Sequence, residues 1–141
     1  MSLGAPTRER GGAALELVLV VPALVALLLL VVAGGRVVQA RGDVDAMARD
    51  AARSASVARS PAEAMARAET MVRERVGEGG VQCREPSVTA DTSAFRPDGV
   101  VAVVVTCHVD LASLSLLGIS ASRAITAEAT EVIDARRGTR P

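Results

Sequence analysis

The chain has 141 residues, of which 16 are basic and 16 acidic, so its formal net charge is zero. Phe95 is the sole aromatic residue and every basic residue is Arg, so any core rests on Val, Leu, Ile, Ala and Met, which bury less area per side chain than aromatic rings. A balanced chain with no basic stripe and no stacking platform argues against nucleic-acid binding, and the length leaves room for one small domain.

The first dozen residues are short and polar, with Arg8 and Arg10 just before an apolar run, and read as a leader. From Ala13 to Ala33 the chain is almost entirely Ala, Leu and Val, about 21 residues, which at 1.5 Å per residue covers roughly the 30 Å of a bilayer's hydrocarbon core. Two residues disturb it: Glu16, one turn in, and Pro22, which a membrane helix tolerates when the freed backbone group finds a partner locally or on a neighbouring helix. Arg8 and Arg10 precede the span and Arg36 and Arg41 follow it, so the positive-inside rule alone leaves orientation undecided. Cysteine placement breaks the tie. Cys83 and Cys107 both follow the span, and pairing them requires an oxidising compartment, hence a C-terminus outside the cell membrane.

Beyond the span Val37, Ala40, Val44, Met47, Ala48, Ala51, Ala55 and Ala58 recur at helical spacing, so one long helix leaves the membrane, with Gly34, Gly35 and Gly42 as flex points. Ser60-Pro61-Ala62-Glu63 then supplies a cap, a proline at the first helical position and a Glu three residues on, the signature of a capping box. Glu63 with Arg67 and Glu69 with Arg73 add pairs of favourable polarity. Gly77, Gly79 and Gly80 end this second helix near Val76.

After the glycines the period changes from 3.6 to 2. Val101, Val103, Val105, Cys107 and Val109 share one face of a strand, and Thr106 and His108 make the other face polar. An earlier strand around Val81 to Thr89 carries Cys83. A third, around Ile119 to Val132, sets Ile119, Ala121, Ile125, Ala127 and Ala129 on one face, with Arg123 as an exception. Pro97-Asp98-Gly99 is the turn before the central strand. The expected organisation is a leader at 1–12, a transmembrane helix at 13–34, an extracytoplasmic helical segment at 35–76, a disulfide-closed sheet at 77–135 and a frayed tail at 136–141. The fold class is α+β, with an antiparallel sheet of about three strands.

A carboxylate in an apolar helix costs a few kcal/mol on insertion scales and marks a functional-site candidate; the plainer reading has Glu16 reaching the headgroups at the helix start. For Cys83 and Cys107 a structural disulfide closing about 24 residues, worth roughly 3–4 kcal/mol in the chain-entropy model, is favoured over reactive thiols, because no C-x-x-C or cationic cluster lowers their pKa. His108 lies on the opposite strand face from Cys107, against a Cys–His nucleophile pair. No G-x-S-x-G, phosphate loop, H-E-x-x-H or calcium-loop spacing is present, so the expectation is no enzyme, no cofactor and no metal.

The stretch Arg10-Gly11-Gly12-Ala13-Ala14-Leu15-Glu16 followed by the span resembles the class III signal of type IV pilin-like proteins. The wider arrangement, RGGAALELVLVVPALVALLLL followed by an amphipathic helix with Ala51-Ala52-Arg53, is similar to the TadE-like proteins of tight-adherence pilus systems. The resemblance implies cleavage by a prepilin-type peptidase after Gly11 or Gly12, with Glu16 at the fifth or fourth mature position as the assembly or recognition carboxylate. It also implies a minor pilin or pseudopilin role in or under a surface pilus, with the membrane, other pilin-like subunits and the assembly machinery as partners. The competing reading is a secreted or membrane-anchored small extracytoplasmic binding domain, released in the secreted case after Val31-Val32-Ala33; the apolar run exceeds an ordinary signal-peptide core.

Overall fold

The structure, a computed structural model, describes residues 10–78, 83–110, 118 and 122–134. The expectations about the leader before Arg10, the strand start at Val81, Ile119, Ala121 and the tail from Arg136 lie outside them. Helix α1 (Arg10–Ser56) has 47 residues and is about 70 Å long at 1.5 Å per residue. It runs unbroken through Pro22, Gly34, Gly35 and Gly42, so the glycines expected as flex points lie inside continuous helix. Leu, Val and Ala on both sides sustain the backbone ladder past them.

Helix α2 (Pro61–Gly77) starts where the capping signature places it. Ser60 is the N-cap in extended backbone, and its Oγ accepts the Glu63 N–H at 3.2 Å. The return arm reaches one residue earlier than in a standard capping box: Glu63 Oε2 accepts the Arg59 N–H at 2.9 Å, while Oε1 pairs with Arg67 at 2.8 Å. Glu69 and Arg73 form no ion pair among the described residues, since both are exposed and solvent competes for them. The last turn extends to Gly77, one residue past the expected end, and Arg75 bridges to Asp50 to tie α2 to α1.

Strands β1 (Arg84–Asp91), β2 (Val100–Asp110) and β3 (Ser122–Val132) form one antiparallel sheet in the order β1-β2-β3. β1 begins at Arg84, and Cys83 immediately precedes it. Val101, Val103, Val105, Cys107 and Val109 are buried, together with Ile125 and Ala127 of β3. That face meets Ala40, Val44, Met47, Ala48, Ala51, Ala52 and Ala55 of α1 and Ala64, Ala68 and Val72 of α2. α1 covers β2 and β3, and α2 lies against β1. The other face is open, with Thr106 and Thr126 hydroxyls 3.0 Å apart. Alanine dominates the helix side of this core, so the helices approach closely and each added methyl group is felt.

The turn into β2 divides two tasks between neighbours. Gly99 N–H donates to the Arg96 carbonyl at 2.8 Å, Asp98 N–H to the Ile133 carbonyl at 3.1 Å, and Ile133 N–H to the Gly99 carbonyl at 2.9 Å, the pattern of a G1 bulge. The left-handed residue is Asp98, with φ 60°, a conformation Asp tolerates better than most residues. Gly99 serves the close approach instead: a Cβ there runs into the carbonyl oxygens of Ala94 and Arg96.

Candidate functional site

The feature that the folded domain does not absorb is the first half of α1. The core of the α+β domain starts at Ala40, yet the helix has run since Arg10. From Leu15 to Val32 every side chain is exposed except the half-buried Leu29, and Leu19 is exposed to 72%. An exposed apolar surface of this size on all sides of a helix is not stable in water; such a helix belongs in another apolar medium. Its length, about 27 Å at 1.5 Å per residue, is close to a bilayer's hydrocarbon thickness. Arg36 and Arg41 follow it, both exposed.

Glu16 is exposed one helical turn beyond Gly12 and has no hydrogen bond or ion pair among the described residues. In an apolar surrounding an unpaired carboxylate is costly, so its partner, whether headgroup, water or cation, comes from outside the described residues. Gly11 and Gly12 stand in the first turn of α1. A Cβ at Gly12 would meet nothing within 4 Å, and glycine in a helix costs about 0.5–1 kcal/mol relative to Ala, so packing among the described residues gives no reason for it.

At the other end Cys83 and Cys107 are joined, with Cα atoms 5.2 Å apart across 24 positions of sequence. Cys107 is fully buried, and His108 next to it is exposed on the opposite face, the alternation that separates the thiol position from the imidazole. Sequence reasoning missed Ala52 and Ile133 as core residues, the left-handed backbone at Asp98 and the Asp50–Arg75 bridge. Ala52 was legible as the neighbour of the Ala48-Ala51-Ala55 stripe; a bridge between positions 25 apart had no local signal.

α1 is the one helix among the described residues long and apolar enough to cross a membrane, so fold and site together define a single-span candidate carrying a small disulfide-closed α+β domain. Residues 11–53 match the family model described as TadE-like protein, the family that the RGGAALE stretch and the following helix resemble. The match covers nearly all of α1 and stops before α2, so the second helix and the sheet lie beyond it. No curated protein and no solved structure matches the chain.

Proposed function

We propose that the chain is a membrane-anchored minor pilin or pseudopilin-like subunit that takes part in assembling tight-adherence pili by helix–helix association rather than by catalysis. The observation that supports this most is the bare apolar arm of α1 with Glu16 on it, inside the segment that matches the TadE-like family. The arm sits in the membrane, the disulfide-closed domain lies outside, and the arm packs beside other pilin-like helices. A prepilin-type peptidase cleaves after Gly11 or Gly12 and frees an α-amino group. Such a group on a neighbouring subunit is a suitable cation for Glu16, because in a low-dielectric bundle opposite charges attract strongly.

The test is Glu16→Gln, which keeps shape and hydrogen bonding and removes the charge. The variant is expected to enter the membrane fraction at normal abundance while pili on the native host fall to the level of a strain lacking the protein. Unchanged piliation with Glu16→Gln would sink the role assigned to the carboxylate.

A further inference from the structure

The front of β1 is held differently from the rest of the sheet. Arg84 lies opposite His108 and Ser87 opposite Thr106, so β1 carries one residue more than β2 over this stretch and the ladder slips. Glu85 has φ 48°, the left-handed region that a residue with a Cβ disfavours, and Pro86 has no N–H to give to a neighbour. Arg84, Glu85 and Pro86 are all exposed, so burial does not fix them. The one ion pair here among the described residues, Arg84 Nε to Asp110 Oδ2 at 3.0 Å, has its arginine side chain 76% exposed, and such surface pairs hold little. From Ser87 to Asp91 the register with Thr106 to Ala102 is regular, and Val88 and Ala90 pack on the core. Among the described residues, what anchors the irregular end is the Cys83–Cys107 bond, which ties a half-buried residue to a fully buried one on the central strand.

We propose that this disulfide is a redox-sensitive latch on the front of β1: reduction releases Cys83–Pro86 while Ser87–Asp91 stays paired. Closing it transfers two electrons and two protons from the two thiols to a disulfide-bearing oxidant, which becomes a dithiol. Opening runs in reverse. A thiolate of a dithiol attacks Cys83 Sγ, the more accessible sulfur, and Cys107 departs as a thiolate and takes up a proton. The dithiol's second thiol then resolves the mixed disulfide, leaving Cys83 as a thiol and the reductant as a disulfide. Expelling a thiolate into the apolar core is unfavourable, so opening is slow until the front frays. An unlatched chain exposes the edge of β2 at Cys107 and His108, which Arg84 and the bulge cover in the closed form, a template for wrong pairing. The closed sheet is therefore reserved for chain that has met an oxidising compartment, a consequence that rests on the exported reading above; the latch itself does not.

The test follows amide exchange of the full chain in detergent micelles before and after treatment with dithiothreitol, with complete reduction verified by alkylation of two thiols. Protection at Arg84 and Glu85 is expected to fall by about tenfold or more, while Thr89, Ala90 and Val101 to Val105 change by less than about twofold. Tryptic cleavage after Arg84 should appear only in the reduced chain. Arg84→Gln with the bond intact should leave Glu85 protected, since the ion pair is not the anchor. Unchanged protection at Arg84 and Glu85 after complete reduction would overturn the latch, and so would loss of protection across the whole sheet. Neither result depends on whether the protein supports piliation.

Discussion

Ala51→Leu probes the packing that joins α1, beyond its apolar arm, to the rest of the α+β domain. Ala51 is fully buried on α1, as are Ala48, Ala52 and Ala55 on the same helix and Ala64 and Ala68 on α2. Leucine is nearly as good a helix former as alanine, so the substitution leaves the helix intact and acts only through volume. Three extra carbons have no void to enter in an interface built from alanine; forcing them in costs about 1–3 kcal/mol. For a domain of this size that corresponds to a fall in Tm of roughly 8–16 °C at about 2 kcal/mol. The chain has no Trp or Tyr for fluorescence but has 16 Arg, so pulse proteolysis with trypsin across a urea series, in micelles, is the suitable assay. Ala66→Leu makes the same chemical change at an exposed position of α2 and is expected to stay within about 0.5 kcal/mol of the parent. If Ala51→Leu matched it, the close approach of helices and sheet would be wrong.

Two further predictions concern the domain. Gly99→Ala is expected to cost about 2 kcal/mol or more, because the new methyl meets backbone carbonyls of Ala94 and Arg96 that belong to the turn itself; a urea midpoint equal to the parent's would show that the turn yields freely. In acid, the backbone N–H of Arg59 and then the Arg67 side chain hold the Glu63 carboxyl below its ordinary value, and the backbone N–H of Ser93 does the same for Asp91. Folded values depressed below unfolded ones contribute stability that is complete above the ordinary carboxylate range and lost as pH falls through it. The urea midpoint should therefore decline on acidification below about pH 4.5, less steeply in Glu63→Gln; identical slopes would remove Glu63 from the account.

Much of this architecture is legible in the residues because each element obeys one period strongly. The stripe from Ala40 to Ala55 repeats at helical spacing and is the buried face of α1, and the alternation from Val101 to Val109 is the buried face of β2. The cap at Ser60 is local chemistry, readable from four residues. What escaped was set by tertiary contacts without a local signature. The left-handed residue before β2 is Asp98, while Gly99 stands next to it where backbone carbonyls crowd the site. The irregular front of β1 depends on Glu85 adopting a positive φ, which nothing in its side chain announces. At the candidate site the sequence supplied Gly11, Gly12, Glu16 and the arm. The structure added that, among the described residues, Glu16 is without a partner and Gly12 answers no packing need.

Whether the chain is an anchored pilin-like subunit is decided by determining the N-terminal residue of the mature protein recovered from membranes of its native host. A chain beginning at Gly12 or Ala13, with Glu16 and the apolar arm retained, is the predicted result. A chain beginning at Gly34 would contradict it, because the arm would then have been a signal sequence and the domain a freely secreted one.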